Sequence, residues 1–320
     1  MRGRALRLVP IVALVAAIAA TASPAGGATV ASGDRCVLGT PDVFDALGRL
    51  TESTGVARGE DAREPSLPDT AQEVPEWARG KGRQGFRATV DVYFHVVTDG
   101  AIGAVTDQDV RTQLQVMNMG FGGFEGGVST GFEFRLAAID RTDNAEWYYA
   151  GPTTTGEREM KKALHRGDAS DLNIYSTTAG PYLGWAYFPS NYETKPWIDG
   201  IVIDWESMFE TSTRYEGRYD RGETATHETG HWLGLHHVFN GGCNRWGDYV
   251  DDTPPQSIAT RGCPEGQDSC TEPGLDSIHN YMDYSYDTCY TEFTAGQADR
   301  MHDQWLYFRA DGGSTTPGAG

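Results

Sequence analysis

The chain has 320 residues, 45 of them acidic and 26 basic, for a formal net charge of −19 at pH 7, with five cysteines. Such acidity excludes nucleic acid and anionic membrane surfaces as partners, since both would be repelled. The length suits one large domain plus an extension.

In chain order, Arg2, Arg4 and Arg7 precede an apolar run over residues 8–20, and small residues follow through Ala28. That is the pattern of a secretory signal, expected over residues 1–28 with the cut after Ala22 or Ala28. The run is about 13 residues, short of the roughly 20 that a membrane span needs. A secreted, extracellular product is therefore expected, with no membrane attachment after signal removal. Residues 29–84 are rich in Gly, Pro, Arg and Glu and show apolar periodicity only over residues 43–50. This stretch reads as a propeptide, and Arg79, Lys81, Arg83 and Arg87 make its end a proteolytic site.

Regular structure is expected from residue 85 onward. Residues 89–97 are β-branched and aromatic and read as a strand. Thr106, with Asp109 three residues on, marks a helix start for a segment running to about Phe121. Residues 132–136 alternate like a half-buried strand, and residues 171–175 continue the theme. Residues 184–188 read as an edge strand and residues 200–204 as a buried one. Strands alternating with helices indicate an α/β or α+β domain over residues 85–310, divided near Gly234 from a C-terminal part, 235–310, built of helix and loop. Residues 311–320 read as a flexible tail. No repeat is present and no heptad pattern demands a partner, so a monomer is expected.

The most informative stretch is His227-Glu228-Thr229-Gly230-His231-Trp232-Leu233-Gly234-Leu235-His236-His237. Asp220, with Glu223 three residues on, has the look of a capping box opening a helix. At about 100° per residue, His227 and His231 share one face within roughly 40° and can reach a single zinc ion. Glu228 lies about 100° around, so it is placed to act as general base on a zinc-activated water rather than as a ligand. A catalytic zinc usually takes three protein ligands. Gly234 permits the turn that ends the helix, and the chain can then swing His237 back as the third ligand. His236 should point away. His95, His165, His279 and His302 read as core or surface histidines. The five-residue HExxH pattern alone recurs by chance; extended through Gly234 and His237 it is HExxHxxGxxH.

This segment resembles the metzincin metalloproteases and, within them, the pappalysin family, in particular its small secreted bacterial members. The residues that carry the resemblance are 227–239 and Asn280-Tyr281-Met282-Asp283-Tyr284, which is similar to the family's Met-turn. The resemblance implies an α+β metzincin-like fold: a twisted, mostly parallel sheet with active-site and backing helices, and a loop-rich C-terminal subdomain stapled by disulfides. It implies a secreted zinc-dependent endopeptidase acting on peptide or protein substrates. Met282 would form the apolar floor below the metal, and Tyr284 would stabilise the oxyanion, a task within a phenol's reach. The edge strand at residues 184–187 would align an extended substrate.

Four cysteines, Cys243, Cys263, Cys270 and Cys289, allow three pairings, and the resemblance implies Cys243–Cys270 and Cys263–Cys289. Between them, Asp248 and Asp252 offer hard oxygen donors for calcium, as in related proteases; the alternative is a solvated acidic turn. The lone Cys36, in the proposed propeptide, is either an incidental thiol or a cysteine switch whose thiolate caps the zinc. Pappalysins that prefer arginine after the scissile bond carry an acid just before the last cysteine, a position held here by Thr288, with Asp287 one residue earlier. Two other functions compete: a catalytically silent extracellular zinc-binding protein, and a surface adhesion protein. Glu228 has a chemical task only in the enzyme.

Overall fold

The computed structural model describes residues 72–310 apart from Arg245. The expected signal, Cys36, most of the expected propeptide and the C-terminal tail lie outside the described residues.

A five-stranded sheet of order β2-β1-β3-β5-β4 organises the domain, built from β1 (Ala88–Thr98), β2 (Phe132–Asp143), β3 (Leu172–Thr177), β4 (Gly184–Ala186) and β5 (Ile201–Asp204). Pairings β1–β2, β1–β3 and β3–β5 are parallel, whereas β4 runs antiparallel to β5, with Gly184 opposite Ile203 and Ala186 opposite Ile201. Parallel strands are covered on both faces, and alternate residues divide between two cores. Val92, Phe94, Val96, Ile174 and Ile203 face one core; Val97, Tyr175, Trp185 and Val202 face the other.

Helix α1 (Asp107–Gly122) starts at Thr106 with the reciprocal Thr106–Asp109 capping box that the spacing predicts. It packs on β2 and on the buried helix over Glu223–Trp232. A short helix, α2 (Ala145–Tyr148), precedes α3 (Thr155–Leu164), which buries Met160 in the second core and was not foreseen from the sequence.

Helix α4 (Glu223–Trp232) is buried along its whole length. Its start differs from expectation: the cap is Gly222, in the left-handed region at φ 87°, and no side chain caps it. Asp220 instead accepts from the Gly217 N–H. The glycine is needed because the Gln113 amide donates to the Gly222 carbonyl at 2.8 Å, and a β-carbon would meet Gln113 Oε1 at 2.9 Å. The edge strand also stops at Ala186, two residues earlier than expected, because Pro189 opens a 3-10 turn capped by Phe188. A proline has no N–H to extend a ladder.

Beyond α4 the chain is loop until α5 (Ala295–Gln304), which continues as a π-helical turn, Trp305–Arg309. Both expected disulfides, Cys243–Cys270 and Cys263–Cys289, staple these loops. Arg309 locks the end of α4. Its guanidinium pairs with the buried Asp199 at 3.0 Å, donates to the Trp232 carbonyl at 3.0 Å and lies 3.6 Å from the Trp232 ring centre. The Trp232 indole N–H also donates to Asp199. Such a buried pair holds only because hydrogen bonds satisfy it on every side.

Candidate active site

Helix α4 places His227 and His231 one turn apart, with their Nε2 atoms 3.2 Å apart. The chain leaves the helix at Leu233 and turns at Gly234, whose φ of 93° favours glycine. That turn brings Nε2 of His237 to 3.3 Å from His227 and 3.1 Å from His231. His227 Nδ1 faces the Tyr281 carbonyl at 2.5 Å, and His231 Nδ1 faces the Leu235 carbonyl at 2.7 Å. A carbonyl only accepts, so each Nδ1 carries the proton and each Nε2 presents a lone pair. Lone pairs converging at this range repel one another unless a cation sits among them. Bonds of about 2.0–2.1 Å in tetrahedral array set ligand nitrogens roughly 3.4 Å apart. The three nitrogens fit a zinc ion. His236 turns away: its ring packs against Phe188 and Tyr249.

Glu228 is almost wholly buried and lines a cleft with Gly184, His227 and Tyr284. Strand β4 passes close above it, since a β-carbon on Gly184 would lie 2.7 Å from Glu228 Oε1. On the other side, the Tyr284 ring centre is 4.9 Å from that of His237 and 5.9 Å from that of His227. Tyr284 is held there by its neighbour: the buried Asp283 carboxylate accepts from the Tyr284 N–H at 2.8 Å, the Thr260 N–H at 2.9 Å and the Gln256 amide at 2.8 Å. Met282 is fully buried, with its sulfur packed where a side chain on Gly230 would have to go.

The expected calcium pair is engaged within the protein. Asp248 accepts from the Val250 N–H at 3.1 Å and the Thr253 hydroxyl at 2.6 Å, and burial pushes its carboxyl up to about 6. Asp252 accepts from the Thr294 hydroxyl and the Gly296 N–H at the start of α5. Neither joins a cluster of three ligating side chains among the described residues.

The structure adds two carboxyl groups to the site: Glu223, which sequence reasoning did not bring there, and Asp287, which it named only as the neighbour of the position that family members fill with an acid. Glu223 and Asp287 both line the cleft beside Glu228. Burial raises Glu223 well above the carboxylate range and lifts Asp287 to about 7. Asp287 accepts from the Arg221 N–H at 2.8 Å, while Oε2 of Glu223 is buried with no hydrogen-bond partner among the described residues. In sequence, Glu223 resembled a capping residue, and only the pocket explains its side chain. The carbonyls of Tyr281 and Leu235 were also missed, because a backbone oxygen leaves no mark in a sequence.

A model of peptidase family M43, described as pregnancy-associated plasma protein-A, matches residues 171–305. An extracellular metalloprotease of Arthroderma benhamiae is 43% identical over 238 residues, covering 72% of this chain and 76% of the relative. One from Pyricularia oryzae is 45% identical over 229 residues, covering 69% and 76% respectively. Among solved structures, mature mirolysin of Tannerella forsythia in complex with a cleaved peptide superposes with a TM-score of 0.59 at 30% identity, over 71% of this chain and 94% of that one. The relatives share most of the folded domain, and the fold is the one the metal motif implied. The chain belongs to the pappalysin (M43) family of metzincin zinc metalloproteases.

Proposed function

We propose that this chain is a secreted endopeptidase in which His227, His231 and His237 hold zinc, Glu228 is the general base and Tyr284 stabilises the oxyanion. The observation that carries the reading is the triangle of histidine Nε2 atoms 3.1–3.3 Å apart. When bound, zinc supplies Lewis acidity, polarising the scissile carbonyl and lowering the pKa of the attacking water toward about 7. The Glu228 carboxylate takes that water's proton and delivers it to the departing amine. The Tyr284 hydroxyl donates to the oxygen that gains charge as the carbonyl is attacked. Strand β4, outermost in the sheet, offers backbone groups to an extended substrate and so aligns it above Glu228.

The paired carboxyls Glu223 and Asp287 support a substrate class. Neither forms an ion pair among the described residues, and each is costly to ionise while buried. A cationic side chain entering the cleft would relieve that cost. Lysine or arginine after the scissile bond is therefore the preferred residue. Secretion is supported by the signal pattern of residues 1–28 and by the extracellular relatives. Calcium at Asp248 and Asp252 rests on their donor chemistry; a rise in melting temperature on adding calcium, absent in Asp248→Asn, tests it. Cys36 as the latency switch predicts that full-length Cys36→Ala is active without cleavage.

The decisive test compares casein cleavage by mature wild type and Glu228→Ala, each with and without a zinc chelator. Cleavage lost on chelation, and lost in the variant while its zinc content stays at one ion per chain, supports the mechanism. Zinc-loaded wild type that cuts nothing overturns it in favour of a silent zinc-binding protein.

A further inference from the structure

Residues 72–86 form a run of turns before β1 and are tied to the C-terminal helix by side chains of both signs. Arg83 donates to Asp303 at 2.8 Å and to Asp299 at 2.6 Å, and the Gly80 N–H donates to Asp303 at 2.8 Å. Phe86 stacks on His302 with ring centres 4.0 Å apart, and Val74 is buried. The Gln72 N–H reaches the Ser190 hydroxyl at 3.2 Å. So dense a set of contacts belongs to a folded unit rather than to a removable extension.

One of these contacts leads to the metal site. Glu73 takes both terminal nitrogens of Arg300, at 2.7 and 2.8 Å, in a two-pronged pair. The remaining Nε of Arg300 donates to the Gly234 carbonyl at 2.8 Å. Gly234 is the turn that returns the chain to His237, and the next carbonyl, that of Leu235, orients His231. Arg300 is barely exposed and extends its guanidinium between strap and turn; without Glu73 it would be a buried, unpaired charge and free to withdraw.

We propose that residues 72–86 are a strap retained in the mature enzyme, and that Glu73 is a positioning residue for the metal site, acting through Arg300 on the Gly234 turn. The activating cut then falls before Gln72, not at Arg79, Lys81, Arg83 or Arg87 as the basic residues alone suggest. The proposal rests on the metalloprotease reading above, but it is tested by metal retention rather than by turnover.

Two measurements decide it. The N-terminus of the enzyme secreted from the full-length chain, read by intact mass, is expected at or before Gln72. A mature, fully active enzyme that begins after Glu73 overturns the proposal. Zinc release to a chromophoric chelator is then followed well below the melting temperature. Glu73→Gln is expected to release zinc at least tenfold faster than wild type, in line with the roughly 10–100-fold losses of metal affinity seen when groups supporting metal ligands are removed. In the cobalt-substituted protein it is expected to shift the visible ligand-field bands. Arg83→Gln loosens the strap at Asp303 without touching the Glu73–Arg300–Gly234 contacts and should leave both readouts at wild-type values. Equal release from the two variants, or wild-type release from Glu73→Gln, makes Glu73 a merely structural residue and overturns the positioning role. If every protein, wild type included, fails to bind zinc, it is the metalloprotease reading that has failed.

Discussion

Gly184 and Glu228 approach so closely that a β-carbon on the glycine would stand 2.7 Å from Oε1 of the glutamate. The same carbon would meet the Val202 carbonyl at 2.7 Å, so strand β4 cannot retreat without breaking its pairing with β5. The strand proposed to align substrate and the proposed base thus share one space. Gly184→Ala is expected to lower kcat at least tenfold while zinc content stays intact, since displacement of a catalytic group by about 1 Å commonly costs on the order of 100-fold. A variant with wild-type kcat would show that β4 and Glu228 are not spatially coupled.

Met282 supports α4 from below, in contact with Gly230. Met282→Ala would leave a cavity beneath the histidines, and truncations of this kind cost about 2–5 kcal/mol. A corresponding drop in stability is expected in urea titrations, with a matching loss for Gly230→Ala, where a side chain would collide with the sulfur.

Asp287 predicts a pH dependence. Burial, the largest cause, raises its carboxyl from 3.8 to about 7. A raised acid contributes stability that is fully present below pH 3.8 and is lost as the pH rises through 7. Asp287→Asn should therefore gain stability relative to wild type at pH 8 and show no gain at pH 3.5. Charging the pocket also favours a cationic substrate, so KM for an arginine-bearing peptide should fall as the pH rises from 6 to 8. Asp287→Asn should abolish that trend. Parallel profiles for arginine and leucine peptides would show that the cleft has no cationic preference.

Glu73 carries the opposite sign. Burial acts to raise its carboxyl, but the hydrogen bonds and charge of Arg300 prevail and hold it at about 2, against an ordinary 4.5. Its stabilising contribution is present above pH 4.5 and fades as the pH falls toward 2. Melting temperatures of Glu73→Gln and wild type should differ at pH 7 and converge below pH 4.5.

Cys263 and Cys289 are 26 positions apart, joined by mostly irregular chain. Replacing both cysteines with serine is expected to cost about 2–5 kcal/mol, read as a lower denaturant midpoint, and to slow cleavage, because the loop they close carries Tyr284.

Much of this protein was determined by short-range sequence alone. Helical spacing puts His227 and His231 on one face whatever surrounds them, Gly234 ends the helix because few other residues take its backbone angle, and the Thr106–Asp109 box starts α1 where the spacing says it should. Alternation located β2 and β3, and runs of β-branched and aromatic or apolar residues located β1 and β5. These signals are legible because each is written within a turn or two of chain. The rest was decided by contacts across long stretches of sequence. His227 is oriented by the carbonyl of Tyr281, 54 residues away, and Arg300 reaches the Gly234 carbonyl across 66 and Glu73 across 227. Glu223 resembled a helix-capping residue, and the fold places its carboxyl in the cleft instead. Arg83, one of the basic residues that resembled a cleavage site, is salt-bridged to Asp299 and Asp303 of α5. A local pattern states which chemistry a side chain can perform; which neighbour it meets is settled only when burial and pairing are satisfied throughout the fold at once.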